Sequence, residues 1–215
     1  MTLFRGSAGD KPLRAWLQED IWPVEAELQA GDVRAGAALG VAEMIRTGTT
    51  AFADMYFFMP EVATVVEEAG IRARLGHGCI TVGKDAEAAH EDLARGLEFA
   101  REYDDAAEGR IETMFTPHSL TTVGEPFYEE YVPKARADDI PIHFHANETE
   151  REVEPLCKEY DKRPLEYADD LDLLTDDSFI AHGVHVDDRE IELLAERETA
   201  VIHNPASNMK LASGM

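Results

Sequence analysis

The chain contains only two cysteines, few basic residues and no long apolar run, and each shortage excludes something. Cys79 and Cys157 lie far apart in no CxxC or Cys/His spacing, so neither a disulfide framework nor a thiolate zinc site is indicated. Any metal would have to be held by histidines and carboxylates. No stretch approaches the roughly 18 apolar residues of a membrane span, and the N-terminus MTLFRGSAGDKP lacks the basic-then-apolar profile of a signal peptide. A cytoplasmic protein with no membrane partner is expected. Lys and Arg number 20 against 44 Asp and Glu, a formal charge of −24. Such a field repels phosphates, and no basic stripe with interleaved aromatics opposes it, so nucleic acid is excluded as a partner. A surface that self-repels this strongly is best tolerated in concentrated salt, which points to a halophilic source and to loss of folding in low salt. Absent too are GxGxxG and GxxxxGK[ST], the marks of nucleotide-phosphate folds. There is no linker, low-complexity tract or 20 to 50-residue repeat to divide the 215 residues, which read as one domain or part of one.

What is present is alternation. Short apolar, β-branched runs predict six strands at 49–56, 71–80, 110–117, 140–146, 178–183 and 199–204. Helix-period segments fall at 32–47, 60–69, 86–103, 125–137 and 187–196, with a looser stretch at 149–168 broken by Pro155 and Pro164 and an earlier helix at 12–19. This is the pattern of a parallel sheet with crossover helices, an α/β fold. Asp54, His77, His118, His145, His182 and His203 collect at the C-terminal ends of the strands. A (β/α)8 TIM-like barrel draws its catalytic residues from several strand ends, whereas a doubly wound sheet gathers them at one switch point. A complete barrel needs about 250 residues and eight strands, so six strands leave one unit missing at each end. Residues 1–215 then read as the central part of a single barrel domain.

The strongest local signal is Pro141-Ile-His-Phe-His-Ala-Asn-Glu-Thr149. Side chains alternate along a strand, so His143 and His145 share the interior face. An HxH there is either two metal ligands or a pair of hydrogen-bonded core histidines. Glu148, just past the strand end, stands where a proton shuttle is needed. His182 in Phe-Ile-Ala-His-Gly-Val-His185 and His118 in Phe115-Thr-Pro-His-Ser follow apolar strands in the same way, and three such positions point to a shared pocket. His185 reads as a satisfied structural histidine. The tail His203-Asn-Pro-Ala-Ser-Asn-Met-Lys-Leu211 is polar and turn-rich.

MTLFRG, IWPVE, TGTTAFADMYFF, TPHSL, HANET, AHGVH and HNPASNMKL, in that order and across nearly the whole chain, resemble the amidohydrolase-superfamily deaminases of 5′-methylthioadenosine, S-adenosylhomocysteine and 5′-deoxyadenosine. The resemblance implies a metal-dependent hydrolytic deamination of a nucleoside, giving the inosine derivative and ammonia. It implies one divalent ion per subunit, Zn2+ or alternatively Fe2+ or Mn2+, which lowers the pKa of water from 15.7 to roughly 7. By the same resemblance His145 is a metal ligand and His143 a deeper interior residue. Glu148 is the acid/base that moves a proton to the purine N1, and His182 hydrogen-bonds the attacking oxygen or the tetrahedral intermediate. His118 contacts the purine, and Glu25 grips the ribose hydroxyls. In that family an HxH precedes MTLFRG and an Asp follows HNPASNMKL, and neither lies in this chain. The isolated 215 residues are therefore expected to be inactive, with two exposed strand edges that favour a homo-oligomer. An arginine that binds the amino-acid carboxylate of S-adenosylhomocysteine is matched here by His77, a poorer carboxylate partner, so 5′-methylthioadenosine or 5′-deoxyadenosine should be preferred. The alternatives are a related amidohydrolase acting on guanine or a triazine, which needs no diol clamp such as Glu25, and an inactive barrel fragment serving as a scaffold.

Overall fold

Alternation of strands with helices is carried through the computed structural model, which describes residues 2–6 and 11–215. Met1 of the MTLFRG segment lies outside the described residues. Seven strands among the described residues fall in two sheets: β1 (Ala51–Tyr56), β2 (Arg72–Cys79), β3 (Ile111–Thr113), β4 (Thr116–Pro117), β5 (His143–Ala146), β6 (Phe179–His182) and β7 (Ala200–Ile202). The chain divides into two compact units, the first running to Gly78 and including Gly96–Met114, the second comprising Cys79–Arg95 and Phe115–Met215.

In the first unit β1, β2 and β3 are parallel neighbours, with Ala51 opposite Arg72 and Tyr56 opposite His77. Helix Ala30–Thr47 opens on a capping box in which the Asp32 carboxylate accepts from the Gln29 N–H at 3.0 Å. It stops at Gly48, whose φ of 87° is the left-handed conformation that glycine adopts without penalty. The crossover helix Met59–Ala69 buries Val62, Ala63, Val65 and Val66, an i, i+1, i+3, i+4 stripe. That stripe packs into one core with Val33, Val41, Leu75 and Ile111. The early helix extends further than 12–19. Helical turns Leu13–Trp16, Leu17–Ile21 and Trp22–Glu25 follow one another, because Pro23 sits in the first turn of the last, where its missing N–H costs nothing.

In the second unit β5, β6 and β7 are parallel neighbours, with His145 opposite Ala181 and Ala181 opposite Ile202. Bridges Phe115↔Ile142 and Ser119↔His145 lay the segment around β4 alongside β5. All four residues of β6 are buried, as befits a parallel strand covered on both faces. The expected strand 110–117 is two short strands because the backbone changes partner midway: the Met114 N–H donates to Leu75 O, the Phe115 N–H to Pro141 O. The segment 149–168 resolves into helices Glu150–Tyr160 and Pro164–Asp170. Pro155 does not break the first, which is anchored on either side of it by buried Val153 and Leu156. The break falls at Asp161, with φ 54°, and Pro164 starts the next helix. Both cysteines are free thiols, and no helix among the described residues is long and apolar enough to cross a membrane.

Candidate active site

β5 delivers His143 and His145 to one side of its sheet, and β6 delivers His182 beside them. The rings of His118 and His145 are 4.7 Å apart, those of His143 and His145 5.8 Å, and those of His145 and His182 5.5 Å. Each ring has one nitrogen committed. Nδ1–H of His145 donates to the carbonyl of His118 at 2.9 Å, and Nδ1–H of His143 donates to that of Phe179 at 3.1 Å. Nδ1 of His118 bonds the Thr122 hydroxyl at 3.0 Å. An imidazole anchored through Nδ1 to a carbonyl carries its lone pair on Nε2, the form in which histidine binds a metal. Burial holds His118 down to about 4 and His143 and His145 down to about 3, so all three rings are neutral at physiological pH. His143 is stacked on Phe179 at 4.2 Å, deeper in the strand, whereas His145 stands between His118 and His182. Among the described residues no group of three or more His, Cys, Asp or Glu side chains is arranged to hold a metal ion, so His145 offers one prepared imidazole and not a complete ligand set.

Glu148 reaches this cluster because the chain turns sharply after β5. Asn147 takes φ 53°, a left-handed conformation that asparagine tolerates better than most residues. Its carbonyl accepts from the Val184 and His185 N–H groups at 3.0 and 2.9 Å, tying the end of β5 to the segment after β6. Its side-chain amide donates to both carboxylate oxygens of Glu190 at 3.1 Å and to the His185 carbonyl at 3.0 Å. Beyond this turn the Glu148 carboxylate lies 3.6 Å from His182 Nε2, with 12% of its side chain exposed. Burial pushes its pKa up to about 7. A carboxyl group poised near neutrality gives and takes a proton with equal ease. His182 itself has φ 80°, uncommon for a residue with a side chain, and burial lowers its pKa. His203 Nδ1–H donates to the His182 carbonyl at 3.2 Å, and His185 Nε2–H donates to Ser213 O at 2.6 Å, a structural use of that ring.

Glu25 and His77 belong to the first unit. Glu25 ends the Trp22–Glu25 turn and accepts a 2.5 Å hydrogen bond from the Tyr56 hydroxyl at the end of β1. His77 is buried near the end of β2, 6.3 Å edge-on from Phe57. The geometry also brings in residues that sequence reasoning passed over. Asn147 and Asn208 lie inside the quoted HANET and HNPASNMKL segments, but nothing local marks Glu190, which looks like any acidic residue on a helix.

Glu152 is another such residue, its carboxylate accepting from the Glu148 N–H at 2.9 Å. Burial lifts its pKa from 4.5 to about 7. Between those values the folded protein keeps a proton that the unfolded chain has released, so this group's contribution to stability falls as pH rises through the interval. Glu152→Gln removes the dependence. It is expected to gain on the wild type by on the order of 2 kcal/mol between pH 5 and pH 8, measured as the difference in urea unfolding free energy. A pH-independent difference would contradict this.

Residues 1–215 match the amidohydrolase family throughout. The chain belongs to that family. Among amidohydrolase relatives, a 5-methylthioadenosine/S-adenosylhomocysteine deaminase of Halobacterium salinarum is 64% identical, over 100% of this chain and 50% of the relative. A 5′-deoxyadenosine deaminase of Methanococcoides burtonii is 46% identical, over 100% of this chain and 49% of its own length. The crystal structure of an adenosine deaminase from Xanthomonas campestris with bound zinc superimposes with a TM-score of 0.92 at 39% identity, covering 100% of this chain and 49% of that one. The chain spans about half the length of the curated relatives it matches.

Proposed function

We propose that the intact protein is a metal-dependent deaminase that hydrolyses adenosine derivatives, 5′-methylthioadenosine and 5′-deoxyadenosine first among them, to the inosine derivative and ammonia. Residues 1–215 are the central part of its single (β/α)8 barrel domain. The observation that carries this reading is the placement of Glu148 against His182 Nε2 at 3.6 Å, within the buried cluster that contains His145. The names of the relatives from Halobacterium salinarum and Methanococcoides burtonii support the substrate class.

In this reading Glu148 takes a proton from the attacking water and passes it to the purine N1, then takes the remaining proton from the hydroxyl of the tetrahedral adduct and passes it to the amino group, which leaves as ammonia. Its pKa of about 7 suits both directions. Neutral His182 orients the attacking oxygen through Nε2. His118 contacts the purine, and Glu25, oriented by Tyr56, holds the ribose hydroxyls. His145 is one ligand of a divalent ion, zinc by the donor chemistry or else Fe2+ or Mn2+, with the remaining ligands supplied by the rest of the intact protein. When bound, the ion supplies the Lewis acidity that makes water nucleophilic at neutral pH. The substrate is a small nucleoside and not a nucleic acid, since the −24 charge opposes polyphosphate. The same charge, together with a relative from Halobacterium salinarum, supports a protein that works in concentrated salt.

The test is deamination of 5′-methylthioadenosine by the intact protein in high salt, followed as the adenine-to-hypoxanthine absorbance change with and without added zinc. Metal-dependent turnover is expected. No turnover of any adenosine derivative by metal-loaded protein would overturn the reading in favour of guanine, a triazine or a scaffold without activity. With His77 in place of a guanidinium, kcat/KM for 5′-methylthioadenosine is expected to exceed that for S-adenosylhomocysteine. Equal or reversed values would remove His77 from the account of specificity.

A further inference from the structure

We propose that Asn208 is a positioning residue that sets the tautomer of His182. Asn208 lies on the short helix Pro205–Lys210 and is completely buried. Its Oδ1 is 2.8 Å from His182 Nδ1, the one hydrogen bond its side chain makes among the described residues. An amide oxygen only accepts, so the ring proton is held on Nδ1. Free imidazole side chains prefer the proton on Nε2, and the bond to Asn208 reverses that preference. The consequence falls on Nε2, which presents a lone pair toward the Glu148 carboxyl 3.6 Å away.

The surrounding segment is built to hold this contact. The Asn208 N–H donates to Asn204 O at 2.9 Å and the Ser213 N–H donates to Asn208 O at 2.9 Å, fixing the backbone on both sides. His203 bonds the His182 carbonyl at 3.2 Å, and His185 bonds Ser213 O at 2.6 Å, so the tail and the end of β6 are joined at three points. The left-handed φ of 80° at His182 is a conformation that persists only where its surroundings enforce it.

The catalytic meaning rests on the deaminase reading. With the lone pair on Nε2, His182 accepts a hydrogen bond from the attacking water and leaves that water's own lone pair free for the purine carbon. The opposite tautomer would aim an N–H at Glu148 and tie up the carboxylate that has to receive the proton.

The test uses the intact protein labelled with 15N-histidine. Long-range 1H–15N correlation distinguishes the two tautomers, and the His182 signal is identified by its loss in His182→Gln. The Nδ1–H form is expected in the wild type and in Asn208→Asp, which keeps an acceptor of the same shape. In Asn208→Leu, of similar size but without an acceptor, the signal should move to the Nε2–H form, and kcat should fall by at least ~10-fold with KM within about twofold. An Nε2–H ring in the wild type, or an unchanged tautomer in Asn208→Leu, overturns the proposal. If the leucine variant does not fold, the wild-type and aspartate spectra still decide it, because an Nε2–H ring in either contradicts the assignment. The tautomer is read without substrate, so a shift in Asn208→Leu supports the proposal even where the wild type proves not to deaminate adenosine derivatives.

Discussion

In the intact, metal-loaded protein, Glu148→Gln is expected to lower kcat for 5′-methylthioadenosine by about 10²–10⁴-fold, with little change in KM. Glutamine has the shape of glutamate and keeps its place beside His182 and behind the Asn147 turn. What it lacks is a site that takes up and returns a proton near pH 7, which is where burial has brought the Glu148 carboxyl. The defect should therefore lie in the chemical step and not in substrate binding, the pattern of an interaction used only in the transition state. Steady-state kinetics alongside metal analysis checks this. A kcat within tenfold of the wild type, at equal metal content, would assign the proton transfer to another group.

The second large effect is on stability. Glu190 is 0% exposed and its carboxylate accepts from the Asn147 amide, from Arg163 Nε at 2.8 Å, from the Leu165 N–H at 3.0 Å and from the Asp187 N–H at 3.2 Å. It caps helix Asp188–Glu196, receives the start of helix Pro164–Asp170, and holds the residue that turns β5 toward Glu148. Glu190→Ala leaves the Leu165 and Asp187 N–H groups without this acceptor, while Arg163 keeps Asp187 and the His185 carbonyl and the Asn147 amide keeps the His185 carbonyl. Each buried donor left without an acceptor costs about 1–3 kcal/mol, so a loss of about 2–5 kcal/mol is expected in urea unfolding. Glu190→Gln, which still accepts from some of the donors, should lose less. Because the Asn147 amide would lose its bonds to Glu190 and keep only the His185 carbonyl, kcat should also fall, although Glu190 touches neither His182 nor Glu148. A loss below about 1 kcal/mol for Glu190→Ala would show that the network is dispensable.

The pH behaviour of the site follows from its burial. The three neutral histidines resist protonation in the fold and would be protonated first in the unfolded chain, so they withdraw stability as pH falls below about 6.5. Glu148 and Glu152 act in the opposite sense, withdrawing stability as pH rises from 4.5 to about 7. The cluster is therefore composed of groups whose ordinary charged forms are disfavoured by their surroundings.

Hydrophobic periodicity by itself determined the order of strands and helices, because the period of two or 3.6 residues is a local property of which face is buried. It also determined that His118, His145 and His182 stand at strand ends, and the HANET segment marked Glu148 just beyond one of them. Local pattern could not show that the strand at 110–117 divides, since Met114 and Phe115 are apolar whichever partner their N–H groups choose. Nor could it single out Glu190, joined to Asn147 across 43 residues, or Asn208, joined to His182 across 26. Which acidic residue on a helix is buried, and which asparagine in a turn meets a ring nitrogen, depends on contacts between segments distant in the chain. The sequence thus determined which titratable groups stand at the strand ends, and only the tertiary structure decided how they are aimed, because aim is set by hydrogen bonds that close after the elements have packed.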